Sequence, residues 1–178
     1  MKKIIIFICF LQLSCISQQE KRVSKIKVNF VSLSIKTKGH IYEILEANKT
    51  VVKSNEQTIL IYHFFKGANK NDTLKLYKNG VIEYKNITLK KVDEKKIMNK
   101  GKLIKVHKLY ISNIGDMSVD NFSGQIIYLA NDDIIAIFGV VGNYASLYNP
   151  EMFSEIHNKI LYNKIDFKRD SNELDGRP

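Results

Sequence analysis

Apolar and polar positions alternate with a period of two from Lys25 to Lys36. Ile26, Val28 and Phe30 alternate with Lys27 and Asn29; the phase then flips, and Val31, Leu33 and Ile35 alternate with Ser32, Ser34 and Lys36. A period of two is a strand signal, and a flip of phase moves side chains to the opposite face, so the pattern predicts a strand with a bulge or bend near Phe30-Val31. In His40–Ala47, Ile41, Ile44 and Leu45 suit a helical face as well as a strand. The β-rich stretches Thr50-Val51-Val52 and Thr58–Phe65 that follow favour strand. Leu74–Tyr77 and Val81–Tyr84 flank Lys78-Asn79-Gly80. Asn-Gly predicts a hairpin with a two-residue turn, with Tyr77 and Ile82 on one face and Leu76 opposite Glu83 on the other. Lys102–Ile111 reads as another strand. Between Gln125 and Val141, the runs 126–130 and 134–138 are continuously apolar and are separated by Asn131-Asp132-Asp133. Unbroken apolar strands predict burial on both faces, as in the central hairpin of a sheet.

The period changes after Tyr148. Met152, Phe153, Ile156, Ile160 and Leu161 form one helical stripe over Asn149–Asn163, with Asn149 placed as N-cap, Pro150 at the first helical position and Glu151 at the positive end of the dipole. Tyr148 and Phe153 are spaced as a hydrophobic staple. The elements together predict an α+β fold: a mainly antiparallel β sheet, curled or sandwich-like, with one C-terminal helix packed on it.

The first fifteen residues follow another rule. Lys2 and Lys3 precede the apolar run Ile4–Leu11; Gln12 interrupts it, and Leu13-Ser14-Cys15 follows. An apolar run of about 7–15 residues behind a basic start has the length of an export signal, whereas a membrane-spanning helix needs about 20. The end of this segment resembles the lipobox of bacterial lipoproteins, in which a small residue precedes a cysteine that becomes the lipid-bearing N-terminus. Ser14 holds the small position, and Gln12 stands where that family usually has leucine. The resemblance implies removal of residues 1–14, a lipid such as palmitate on Cys15, and a place in the bacterial cell envelope. Ile16-Ser17 lacks the aspartate that causes inner-membrane retention in some bacteria, which favours the outer membrane. The alternative is an ordinary secretory signal, giving a secreted or soluble periplasmic protein. The resulting organisation is a signal peptide at 1–14, a lipidated tether at 15–24, a single β-rich domain at 25–165 and a flexible tail at 166–178. Cys9 lies in the signal and nothing after Cys15 is a cysteine, so the mature domain has no disulfide to lean on. A lone cysteine at the cleavage point is explained if it is acylated rather than paired.

The full chain carries 28 Lys+Arg against 18 Asp+Glu, a net +10; losing residues 1–14 removes Lys2 and Lys3 and no acid, leaving +8. The excess is almost all lysine, with arginine only at Arg22, Arg169 and Arg177. Lysine is a point charge without the planar fork that matches phosphate, and a Lys-, Ile- and Asn-rich chain fits A/T-rich codons, so nucleic acid is excluded as a partner. The basic run from Lys85 to Lys108 has two readings: a patch for anionic lipid headgroups, or a solvated hairpin whose lysines guard an edge strand. The second is the plainer.

No catalytic, metal or cofactor residue stands out. His40, His63, His107 and His157 have no second ligand type at metal spacing. His63, between Tyr62 and Phe64, reads as a packed or edge residue, and His157 as half-buried beside the helical stripe. Gly139-Val140-Val141-Gly142 lacks the third glycine of a dinucleotide turn and reads as a bend. Asp132-Asp133 suits a turn. Tyr77, Tyr84 and Tyr110 are expected on the exposed face of the hairpins, where tyrosines can build a sugar or peptide surface. Cys15 is the one residue assigned a role. The sequence implies a non-enzymatic binding or structural module held to the membrane through the lipid on Cys15, with a possible protein partner in the envelope. The alternatives are a periplasmic immunity or inhibitor protein, or an envelope hydrolase whose carboxylates or His63 converge only in the fold.

Overall fold

The computed structural model describes residues 20–33, 40–65, 71–111, 125–139 and 144–162. They form eleven strands and one helix: β1 (Glu20–Ser32), β2 (His40–Lys53), β3 (Gln57–Phe64), β4 (Asn71–Tyr77), β5 (Ile82–Tyr84), β6 (Ile87–Thr88), β7 (Lys90–Asn99), β8 (Lys102–Ile111), β9 (Gln125–Ala130), β10 (Asp133–Gly139), β11 (Tyr144–Tyr148) and α1 (Pro150–Leu161). The signal and Cys15, the tail 166–178, Ile35, Val140 to Gly142 and Asn163 lie outside the described residues.

All strands belong to one sheet, ordered β6-β5-β4-β3-β2-β1-β11-β10-β9-β8-β7, with every pair antiparallel. The two edges of this order, β6 and β7, are separated in sequence by Leu89 alone. They run in the same sense, so they are two halves of one kinked strand, and the sheet must curl until its edges meet. The Leu89 amide donates to the Ile82 carbonyl at 2.8 Å across this seam. The result is an up-and-down, nearly closed barrel in which each strand pairs with the next and the last returns to the first.

The stagger of the barrel follows from the register. Stepping from Glu20 through Lys53, Thr58, Leu76, Ile82, Leu89, Ile111, Gln125, Gly139 and Tyr144 returns to β1 at Ser32, twelve residues from the start. Such shear tilts the strands against the barrel axis, as closure requires. One rim collects the start of β1, the turns β2–β3, β4–β5, β7–β8 and β9–β10, and the start of α1. It is the N-terminal rim.

Two cores share the sheet. Ile26, Val28, Ala47, Leu60, Tyr62, Leu74, Leu129, Ile134 and Tyr148 pack inside the barrel. Ile126, Ile135, Ala136, Phe138, Leu147, Phe153, Ile156 and Ile160 pack outside it, between the β9–β11 wall and α1. The central hairpin β9–β10 is therefore buried on both faces, as its unbroken apolar runs predict. Ile126, Ile127, Ile134 and Ile135 are all fully buried, and each such side chain contributes about 1.5–3 kcal/mol of transfer free energy. The register of β1 against β2 shifts between Phe30 and Val31, where the sequence changes phase. The extra residue lies on β2, between Ile41 and Glu43, so β1 itself keeps its alternation: Ile26, Val28 and Phe30 face the inner core, and Val31 and Leu33 the outer one.

Three expectations change. First, β1 begins at Glu20, with Glu20–Ser24 paired to Lys49–Lys53, so half of the expected tether is strand. Second, the Asn79-Gly80 hairpin has a three-residue loop: the Tyr77 amide donates to the Val81 carbonyl at 2.9 Å and Leu76 lies opposite Ile82. Of the three loop residues only Gly80 has positive φ, at 87°, whereas a two-residue type I′ turn needs it at both central positions. The shift by one places Leu76 and Ile82 together against the inner core. Third, Tyr148 and Phe153 are no staple; the strand alternation sends Tyr148 inward while Phe153 enters the outer core. Asn149 is the N-cap residue but has φ 48°, with no capping bond from its side chain.

Candidate functional site

Polar groups gather inside the barrel, where the β3–β4 wall faces the β10–β11 wall. Tyr62 on β3 donates its hydroxyl to Asp133 Oδ1 on β10 at 2.5 Å. Tyr148 on β11 donates to Asp72 Oδ2 on β4 at 2.7 Å. Two Tyr-to-Asp bonds thus cross the same space in opposite directions, and the two rings meet edge to face at 5.2 Å between centroids. Strand alternation puts Tyr62, Asp72 and Tyr148 inside, while Asp133 meets Tyr62 as the first residue of β10. Tyr62 shares its face with Leu60 and Phe64, and Asp72 its face with Leu74. A barrel of this circumference is wider than the eight-stranded kind that ordinary side chains fill; long rings bridging to short acids take up the width.

Each carboxylate also holds a lysine. Lys49 Nζ lies 2.5 Å from Asp133 Oδ2, and Lys85 Nζ lies 2.7 Å from Asp72 Oδ1. The Ile134 amide donates to the Tyr62 hydroxyl at 3.2 Å. Burial, and after it the charge of Asp133, pushes the Tyr62 phenol well above its ordinary range; burial and the charge of Asp72 do the same to Tyr148 and Tyr84. These phenols stay protonated and act as donors. Both oxygens of each carboxylate are engaged, so the arrangement neutralises charge and clasps the walls together; it offers no carboxylate oxygen poised as a base.

The second concentration of charge is the β7–β8 hairpin at the N-terminal rim. Glu94 lies 2.8 Å from Lys105, 2.5 Å from Lys91 and 3.2 Å from His107. Hydrogen bonds from Lys105 and then Lys91 hold the Glu94 carboxyl at about 2. Burial, reinforced by Lys91, lowers the His107 imidazole from its usual value. The tip is tied to α1: Asn99 Nδ2 donates to the Met152 carbonyl at 2.9 Å, and the Lys100 amide to Glu155 Oε2 at 2.9 Å. Beside α1, a groove of about 310 Å³ runs between Lys25, Lys27 and Glu46 of β1–β2 and Glu151-Met152; the Lys27–Glu151 pair at 2.9 Å spans it.

The residues singled out from the sequence scatter over the fold. Cys15 lies outside the described residues. His63 is exposed on the outer face of β3, its Nδ1 2.7 Å from Asn71 Oδ1, so its partner is an amide rather than an acid. His40 is exposed at the start of β2. His157 is buried rather than half-buried: Nε2 donates to the Ile135 carbonyl at 2.8 Å, and burial holds the ring at about 4. The four histidines therefore do not converge, and no group of three or more metal-ligating side chains occurs among the described residues. Asp132 sits in the β9–β10 turn with Asn131, both at positive φ. Asp133 does not belong to the turn; it is the first residue of β10. Tyr84 and Tyr110 are buried, in the inner and outer cores respectively, so the expected exposed tyrosine face does not form. Gly139 ends β10 beneath the Tyr144 ring, where an added Cβ would lie 2.5 Å from Tyr144 Cζ. The Lys85–Lys108 run is divided: Lys85 enters the clasp, Lys108 is buried, and the remainder spreads over the hairpin.

The clasp residues Tyr62, Asp72, Tyr148 and Lys49 went unmarked in the sequence. The signal for them was polar residues on the apolar phase of a strand: Asp72 two places before Leu74, and Lys49 two places after Ala47. Comparison of the chain with protein-family models, with curated proteins and with solved structures finds no match.

Proposed function

We propose that this chain is a lipoprotein of the bacterial envelope, held to a membrane through Cys15, and that its barrel is a non-enzymatic binding or structural module. The observation that carries the second half is the clasp. The buried acids best placed for acid–base chemistry are each fully engaged by a tyrosine and a lysine, as in a brace between two walls rather than a reacting centre. The first half rests on the sequence Lys2-Lys3, Ile4–Leu11 and Leu13-Ser14-Cys15, and the early start of β1 sets how near the barrel would stand to that anchor. Only residues 16–19 separate Cys15 from the first paired residue, so the lipid and the barrel would be at most about 18 Å of extended chain apart. A domain this close to its anchor works at the membrane surface.

Cell fractionation tests the reading. Wild-type protein is expected in the membrane fraction and Cys15→Ala in the soluble fraction. Equal membrane recovery of both would reject Cys15 as the anchor. Turnover against a hydrolase panel that disappears in Asp72→Asn or Asp133→Asn would reject the non-enzymatic assignment.

A further inference from the structure

We infer that the tip of the β7–β8 hairpin is a bilayer-docking element, and that its ligand is an anionic phospholipid surface. The inference deepens the proposed function and rests on it for the nearness of a membrane.

The hairpin outruns its sheet. β9 pairs with β8 only as far as Val106 opposite Ala130, while β7 and β8 stay paired through Lys96–Lys105, Ile97–Ile104, Met98–Leu103 and Asn99–Lys102. Alternation gives this overhang two faces. One is covered by α1, with Ile97 buried in the outer core and Asn99 bonded to the helix. The other presents Met98 and Leu103, facing each other across the strands and 47% and 60% exposed. The next rung on that face is Lys96 with Lys105. Residues 90–111 hold eight lysines against Asp93 and Glu94, a net +6, and both acids are already taken by Lys91, Lys95 and Lys105.

An exposed apolar pair at the end of a projecting, strongly basic hairpin suits a partner with an apolar phase just beneath a negative surface. A bilayer of anionic phospholipid has that layering; a phosphate backbone does not. Position agrees with chemistry. The turn at Lys100-Gly101 and the start of β1 lie on the same rim by topology, and Glu151 ties the turn to the middle of β1, taking Lys27 at 2.9 Å on its carboxylate and Lys100 on its carbonyl. An anchor at Cys15 and the hairpin would address one surface.

The chain contains no tryptophan, so Leu103→Trp supplies a single reporter at an exposed site. Full-length Leu103→Trp protein is added to preformed phosphatidylcholine vesicles with and without phosphatidylglycerol. Emission should shift to the blue, and brominated acyl chains should quench it, only when phosphatidylglycerol is present. High salt should reverse the shift. Each of Lys96→Gln, Lys102→Gln and Lys105→Gln in this background should raise the vesicle concentration for half the shift by about fivefold. Phe65→Trp, exposed at the opposite end of β3, should not respond. Met98→Trp repeats the measurement should Leu103→Trp fold poorly. Emission at 98 and 103 indifferent to phosphatidylglycerol overturns the inference. Fatty-acid labelling of the same preparations separates the two failures. Labelled protein without a shift rejects the hairpin and keeps the anchor; unlabelled protein with a shift does the reverse.

Discussion

At the scale of single residues, the clasp makes sharp demands. Tyr62→Phe removes the donor to Asp133 and the acceptor for the Ile134 amide, both buried. Unmaking such bonds costs about 1–3 kcal/mol, and urea unfolding of the variant should show that loss. Asp133→Ala should cost more, about 3 kcal/mol, because it strands Lys49 with its side chain only 17% exposed. His157 carries a pH dependence. Its Nε2 proton goes to Ile135, and its buried Nδ1 has no partner among the described residues, so protonation would create an unpaired buried cation. With the folded ring at about 4 and the unfolded one near 6.5, the unfolded chain binds more protons between those values. His157 stabilises fully above pH 6.5, and stability falls as pH drops toward 4, by about 3 kcal/mol over the interval. His157→Gln should flatten the slope of unfolding free energy between pH 7 and pH 4.5; an unaltered slope would count against the assignment. The pairing within the clasp was not legible from sequence alone. Tyr62 and Asp133 are 71 positions apart, Tyr148 and Asp72 76, and only the way the sheet curls decides which tyrosine meets which acid.

At the scale of elements, local pattern carried most of the structure. Alternation placed β1 and the register shift beside Phe30-Val31, though the extra residue is on β2; unbroken apolar runs placed β9 and β10 in the doubly buried position, and the stripe with Pro150 placed α1. The failures share a cause. The loop at Lys78-Asn79-Gly80 took three residues because that register buries Leu76 with Ile82, and Tyr148 turned inward because the strand's alternation outranks the staple. In both, tertiary burial decided between two locally acceptable geometries. Gly80 now has a testable part. With φ at 87° and nothing within 4 Å of the point where a methyl group would stand, Gly80→Ala costs only the backbone strain of that conformation, about 1 kcal/mol. A clash-sized loss in thermal unfolding would contradict the loop geometry. Ile156, fully buried between α1 and the sheet, should lose about 2–5 kcal/mol on truncation to alanine.

At the scale of the molecule, the antiparallel sheet and its one C-terminal helix were readable, and closure was not. Nothing in β6 or β7 alone says that Leu89 joins the two edges; that follows only from the full strand order. The seam is thin, since β5 and β6 share just Glu83–Thr88 and Tyr84–Ile87, so amide exchange should open there before it opens in β9–β10. With the start of β1, the hairpin tip and the start of α1 on one rim, the barrel has a direction, and the proposed anchor gives that direction meaning. Metabolic labelling of cells with an alkyne-tagged fatty acid tests this most directly. Wild-type protein should take up the label and Cys15→Ala should not; equal labelling of the two would contradict membrane attachment through Cys15.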